Sequence, residues 1–334
     1  MSSILLNFFL VIVGFVLLIK GADFLVNGAS SLAKRFNVSD IAIGLTVVAM
    51  GTSAPELVVN IISGSREVSG SGNELVFGNI IGSNIFNIFL ILGVASIIYP
   101  LTVERNALWK EVPYSLLATF VFFILVNDAL FFGAEQNGLD VKDGIILLVM
   151  FVLFLVYIFM NISLNPEAEV DDVELHGNLK TTLMIVFGIA GLVFGGNMIV
   201  SNATLIAESF GVSDKMIGLT ILAAGTSLPE LATSAVAAFH KKSDLAVGNI
   251  VGSNIFNLLL VLGATSLVHA PLVYTPTLNT DLVIVMVGTF MLFIFMFTLN
   301  KYKLDRAEGI VYLIGFVAYS YYLFVRESIL PGIF

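Results

Sequence analysis

Apolar residues dominate this chain in long runs, and the interruptions between them are short. Ten stretches, roughly 4–33, 41–63, 75–98, 113–132, 144–163, 181–207, 216–239, 245–268, 281–299 and 309–325, are each apolar over about the length needed to cross a hydrocarbon core roughly 30 Å thick. Inside lipid a lone span must satisfy its own backbone hydrogen bonds, so all ten are expected to be helices. The pattern predicts an all-α polytopic membrane protein. The first run, Ile4 to Ile19, lacks a basic leader and a small-residue cleavage site after it, and it has a counterpart in the second half, so it is expected to stay as a span.

The runs fall into two sets of five. Between them lies the one long connector, Asn165 to Lys180, which is rich in acid and reads as a solvated linker. It separates a first five-helix repeat, residues 1–164, from a second, residues 181–334. The halves also match residue by residue. Gly44 through Leu57 repeats as Gly218 through Leu231, and Gly78-Asn79-Ile80-Ile81-Gly82-Ser83-Asn84-Ile85-Phe86-Asn87 repeats as Gly248-Asn249-Ile250-Val251-Gly252-Ser253-Asn254-Ile255-Phe256-Asn257. The repeated segments cover about 41–98 and 216–268. Five is odd, so the second copy enters the membrane from the opposite face. This inverted repeat is the plan of many secondary transporters, whose binding site lies near the midplane where the repeats meet.

Composition sharpens this without changing it. The 334 residues are 58% hydrophobic and 12% charged, with a net charge of −9 and no basic patch that would suit nucleic acid. Cysteine is absent, which excludes disulfides and thiolate metal sites. Lys34, Arg35, Arg105, Lys110, Lys180, Lys241, Lys242, Lys301, Lys303 and Arg306 fall on one side of the predicted topology, against Arg66, Lys142, Lys215 and Arg326 on the other. The richer side is expected to be cytoplasmic. Both termini then face outward, and the linker faces the cytoplasm.

The chemistry sits in a phrase written twice at mid-span: Gly51-Thr52-Ser53-Ala54-Pro55-Glu56 and Gly225-Thr226-Ser227-Leu228-Pro229-Glu230. A carboxylate at the middle of a span costs several kcal/mol and points to function by default. Pro55 has no N–H to offer the Gly51 carbonyl, so the helix is expected to open there and free backbone oxygens. Those oxygens are tolerated at such depth only against protein or a wet cavity. Thr52, Ser53 and Glu56 can share a face, as can Thr226, Ser227 and Glu230. The following spans add Ser83 and Asn87, and Ser253 and Asn257, each pair four residues apart. Carboxylate, hydroxyl, amide and carbonyl oxygen form a donor set for a hard cation. Ca²⁺ takes six to eight such oxygens, and Na⁺ can use the same ones. Asn79, Asn84, Asn249 and Asn254 are expected to serve helix packing.

At these residues the sequence resembles the cation/Ca²⁺ antiporter superfamily, in its Na⁺/Ca²⁺ exchanger branch with prokaryotic members. The resemblance implies an antiporter that exchanges Ca²⁺ for Na⁺ by alternating access, placed in the cell (inner) membrane and needing no cofactor. It implies that Glu56 and Glu230 are the main Ca²⁺ ligands and also bind Na⁺. Thr52 and Thr226 would lend backbone oxygens to Ca²⁺. Ser53, Ser227, Ser83 and Ser253 would line Na⁺ sites with the carbonyls of Ala49 and Ala223, and Asn87 and Asn257 would complete the centre. Spans one and six would slide as a pair across a rigid core. Some exchangers carry aspartate where this chain has Asn257, which removes one carboxylate here and weakens a K⁺-coupled reading.

Three other activities fit the sequence less well. A Ca²⁺/H⁺ exchanger branch tends to place glutamate after its Gly-Asn pair, where Gly82-Ser83 and Gly252-Ser253 stand here, so H⁺ ranks second as counter-ion. A passive cation channel could use the same oxygens, but the inverted repeat favours alternating access. An enzyme is not expected: His176, His240 and His269 fall in the linker or at span ends, at no catalytic or zinc-binding spacing, and are expected to be solvated.

Overall fold

In a computed structural model of the chain, residues 2–36, 38–64, 74–103, 105–162, 175–210 and 223–329 are described. The part of the acidic connector up to residue 174 lies outside them, as does the beginning of the predicted seventh span, 216–222.

Each predicted apolar run meets a helix. Among the described residues, eight helices are long and apolar enough to cross a membrane: Ile4–Phe36, Leu75–Ile98, Trp109–Val126, Val141–Met160, Asn178–Ser209, Ser243–His269, Pro276–Phe295 and Arg306–Arg326. A ninth is the pair Asp40–Thr52 and Ala54–Gly64, bent by 44° at its break. The shorter apolar helix Leu228–Phe239 occupies the place of span seven. Taken in chain order these are spans one to ten.

The spans gather into two compact units. One comprises residues 1–55 and 158–253, the other residues 56–157 and 254–334. Both units therefore draw on both halves of the sequence.

In the first unit, spans one and six run against each other for most of their length. Their contact is lined by Gly14, Gly21 and Gly28 on one side and Gly188, Gly191 and Gly195 on the other. The approach is so close that a Cβ added at Gly21 would come within 2.7 Å of the Leu192 nitrogen and 2.8 Å of the Gly188 carbonyl oxygen. Small residues let helix backbones reach this distance in lipid, where dispersion rather than water exclusion drives association. The outward faces of these helices carry exposed Leu5, Phe9, Ile12, Phe187 and Phe194, as lipid-facing surface should.

In the second unit, two short antiparallel strand pairs close the span ends. Leu101–Thr102 (β1) pairs with Lys303–Leu304 (β4), and Gly138–Leu139 (β2) pairs with Leu272–Val273 (β3). Every pair takes one strand from each half of the sequence. Spans nine and ten are joined by a buried ion pair, Arg326 Nη1 to Asp281 Oδ2 at 2.9 Å, with the guanidinium also lying over the Tyr322 ring.

The helices themselves carry local irregularities. Wider, π-helical turns occur at Gly44–Val48, Phe86–Ile91 and Phe256–Val261. The last two occupy equivalent places in the repeated segments. Such turns often mark functional positions in helices.

His240 is exposed as expected, whereas His176 and His269 are half-buried. His269 Nε2 meets the Ile61 carbonyl oxygen at 2.9 Å, and His240 Nε2 lies 2.8 Å from Asp23 Oδ1. His176 is held through its backbone, with its N–H donated to Ser31 Oγ. His269 thus ties the last turn of the helix Ala54–Gly64 through one of its carbonyls.

Candidate ion-binding site

The doubled phrase breaks its span in both copies, at the serine two residues before each proline. Ser53 ends the first helical segment with φ −85° and ψ 5°, and Ser227 adopts φ −89° and ψ 3° at the equivalent place. Pro55 and Pro229 then sit in the first turn of the following helix, where a missing N–H costs nothing. The second segments open at Ala54 and Leu228 with the prolines next in line, and the serine just outside each takes the non-helical conformation. Glu56 and Glu230 both fall in that same first turn. The positive end of a helix favours negative charge there, which supports an ionised carboxylate in a place otherwise hostile to one.

Both glutamates are buried, Glu56 at 0% and Glu230 at 1% exposure. In the first unit, the Ser53 hydroxyl donates to Glu230 Oε1 at 2.9 Å. Thr52 and Ser253 lie beside the same carboxylate. The Thr52 hydroxyl donates to Asn249 Oδ1 at 3.1 Å and reaches the Ala49 carbonyl at 3.3 Å. That carbonyl also accepts from the Ser53 N–H at 2.9 Å. Asn249 donates its amide to Ser234 Oγ at 2.9 Å. Gly252 makes room for this cluster, since a Cβ there would meet the Leu45 Cα and the Ala49 Cβ at 2.8 Å. Thus Ala49, Thr52, Ser53, Glu230 and Ser253 are brought together in one unit. Ser227 is buried at the break, and Thr226 beside it is half-buried. Ala223 opens the short helix Ala223–Gly225.

In the second unit, Ser83, Asn87 and Asn257 are buried, and two of them join a group of four asparagines. Asn87 donates to Asn254 Oδ1 at 2.9 Å, and Asn257 donates to Asn84 Oδ1 at 3.0 Å. Glu56 lies in the first turn of the helix that also carries Asn60, whose amide donates to the Val76 carbonyl. Asn79 in turn donates to Asn60 Oδ1 at 2.8 Å.

The donor atoms left over are informative. Glu230 Oε2 and Ser227 Oγ in the first unit, and Ser83 Oγ, Asn87 Oδ1 and Asn257 Oδ1 in the second, are buried without a hydrogen-bond partner among the described residues. Buried polar atoms are nearly always satisfied, so such orphans call for a ligand. Among the described residues Ser253 Oγ is orphaned as well, as are hydroxyls outside the site such as those of Ser30, Thr233 and Ser243, and all six orphans within the site are oxygens on residues expected from the sequence to bind ions. A hard cation is the ligand their chemistry suits.

Four asparagines do more than pack helices. Asn249 holds Thr52, Asn79 holds Asn60, and Asn84 and Asn254 hold Asn257 and Asn87. The signal was present in the repeat. Asn60 and Ser234 occupy equivalent positions, each four residues after its glutamate and so on the same helix face. Asn79 and Asn249 are likewise equivalent, and each bonds the polar residue in its own half.

Comparison with known proteins identifies the family. The profile of the family described as "Sodium/calcium exchanger protein" matches residues 6–160 and 180–325. The chain belongs to the sodium/calcium exchanger family. It is 37% identical to the putative antiporter CaxA of Alkalimonas amylolytica, over 88% of this chain and 91% of that protein. It is 35% identical to the inner membrane protein YrbG of Escherichia coli, over 78% and 79% of the two chains. Among solved structures, the sodium-calcium exchanger NCX_Mj soaked with zero Na⁺ and Ca²⁺ matches with a TM-score of 0.79 and 30% identity, covering 94% of this chain and 98% of that one. The expected fold, ten transmembrane helices in two inverted five-helix repeats, is borne out. This family member is an integral protein of the cell membrane and a secondary active antiporter of Ca²⁺ and Na⁺ that works by alternating access. It is a transporter and not an enzyme.

Proposed function

We propose that ions bind near the bilayer midplane, with Glu56 and Glu230 as the main Ca²⁺ ligands and as ligands of Na⁺ in turn. The observation that carries this is the matched burial of two carboxylates, each in the first helical turn after a broken segment. Thr52 and Thr226 lend backbone oxygens to Ca²⁺. Ser53, Ser227, Ser83 and Ser253 serve Na⁺, together with the carbonyls of Ala49 and Ala223. Asn87 and Asn257 complete the ligand set through their carbonyl oxygens. Because one set of oxygens serves either ion, occupancy by one excludes the other, which couples the two fluxes. Spans one and six, in contact along their glycines, move together to open the site to each side in turn.

The boundaries follow the repeat: 1–164 and 181–334 form the two halves, and 165–180 is an acidic cytoplasmic linker. Both termini face outward, a reading supported by the Lys and Arg count of alternate loops. Accessibility labelling of single cysteines placed at residues 2 and 176 tests this, since the cysteine-free chain gives no background. Transport is tested by radioactive Ca²⁺ uptake into proteoliposomes with Na⁺, H⁺ and K⁺ gradients set independently. Uptake is expected to follow an opposing Na⁺ gradient. Uptake driven by a pH gradient alone would assign H⁺ as counter-ion, and uptake driven by voltage alone would make the protein a channel.

A further inference from the structure

We propose that Asn84 and Asn254 are positioning residues for ion binding. Each fixes which end of a neighbouring amide is turned toward a cation: Asn84 acts on Asn257, and Asn254 acts on Asn87. The inference rests on the reading of Asn87 and Asn257 as ligands.

An asparagine side chain has two ends of nearly equal size and opposite use. Its carbonyl oxygen attracts a cation, and its NH₂ group repels one. In a buried site a ligand asparagine therefore needs something to set its orientation. Here the NH₂ groups of Asn87 and Asn257 are both engaged, on Asn254 Oδ1 at 2.9 Å and on Asn84 Oδ1 at 3.0 Å. Their carbonyl oxygens are the ends left without a partner. All four residues are at most 1% exposed, so water does not compete for these bonds.

The arrangement follows the repeat. Asn84 and Asn87 in span three correspond to Asn254 and Asn257 in span eight, and each half orients the amide of the other. A π-helical turn starts between the two members of each pair, after Ile85 and after Ile255. The two branches differ in one respect. Asn84 is itself held, by donating its NH₂ to the Asn254 backbone carbonyl at 3.4 Å, whereas the Asn254 NH₂ has no partner among the described residues. Asn84 is thus the firmer of the two guides, and its loss should matter more.

The test compares Ca²⁺ affinity in two backgrounds, by calorimetric titration of purified, monodisperse protein. Asn84→Ala is expected to weaken Ca²⁺ binding about tenfold, the scale of one buried hydrogen bond that sets a ligand's orientation. A carboxylate offers oxygen at both ends, so orientation ceases to matter in Asn257→Asp, and adding Asn84→Ala there should cost less than about twofold. A merely structural Asn84 would weaken binding equally in both backgrounds, and that result overturns the proposal. So does wild-type affinity in Asn84→Ala. If Asn84→Ala does not give monodisperse protein, Asn254→Ala with Asn87→Asp makes the same comparison on the other branch. Asn257→Leu separates this inference from the reading beneath it. Undiminished binding there removes Asn257 from the ligands, while lost binding there alongside wild-type affinity in Asn84→Ala rejects only the positioning role.

Discussion

The Ser53 hydroxyl donates to Glu230 Oε1, so a residue of the first copy of the repeated phrase holds the carboxylate of the second. One oxygen of that carboxylate is anchored, and the other, Oε2, is left for a ligand. Ser53→Ala should therefore lower the apparent affinity for both ions while retaining some exchange. Glu230→Gln and Glu56→Gln should each abolish Na⁺-driven Ca²⁺ uptake, because each removes an anionic ligand and keeps the shape. Flux assays alongside thermal unfolding check this. Full uptake in either glutamine variant would reject the assignment.

The glycine contact between spans one and six leaves no room for a side chain. Gly21→Ala would drive a methyl group into the backbone of span six, at 2.7 Å from the Leu192 nitrogen. Overpacking of this kind costs about 1–3 kcal/mol. The expected outcome is a lower unfolding temperature together with slower exchange. Unchanged values of both would mean that the helices separate at little cost.

The ion pair between Arg326 and Asp281 offers a different kind of test. Removing one partner of a buried pair costs about 3–5 kcal/mol, because the remaining charge is stranded, whereas replacing both with apolar groups is often neutral. Arg326→Met should thus be markedly less stable than the double variant Arg326→Met/Asp281→Leu. Thermal scans in detergent decide this, and equal stability of the two would show that the pair is not coupled.

Asp140 caps span five at its exposed start. Its carboxylate accepts the backbone N–H groups of Asp143 and Lys142, and those bonds hold its pKa below the usual carboxylate value. A depressed pKa stabilises the fold above the ordinary carboxylate range, and the contribution is lost as pH falls through the folded value. Asp140→Ala should lower stability at neutral pH by roughly 1 kcal/mol, a typical capping loss. The difference from wild type should shrink in acid. A gap that stays constant from neutral pH to pH 3 would count against the cap.

Much of the fold was legible because lipid imposes few choices. Long apolar runs must be helices, and the odd number of spans in each half sets their inversion. The glutamates stood out because burying a carboxylate at mid-span is costly. The asparagines did not, since an amide in a membrane helix is as readily explained by packing. Only the hydrogen bonds from Asn87 to Asn254 and from Asn257 to Asn84 separate guide from ligand. The break at Ser53 rather than Pro55 was also hidden, because proline announces a helix start and its own kink with the same letter. The seam of Gly14, Gly21 and Gly28 has a seven-residue spacing visible in the sequence, but its meaning depends on which helix lies opposite.

The two strand pairs carry a consequence for how such a molecule could arise. β1 and β2 belong to the first half, β3 and β4 to the second, and each strand finds its mate only in the other half. An ancestor encoded by a single half would own four loose edges' worth of unmet bonding for every two molecules, and could satisfy them by associating as a two-fold pair with a sister copy, each strand type of one molecule on the other type of its mate. Gene duplication and fusion would then have turned an encounter between molecules into a permanent covalent marriage.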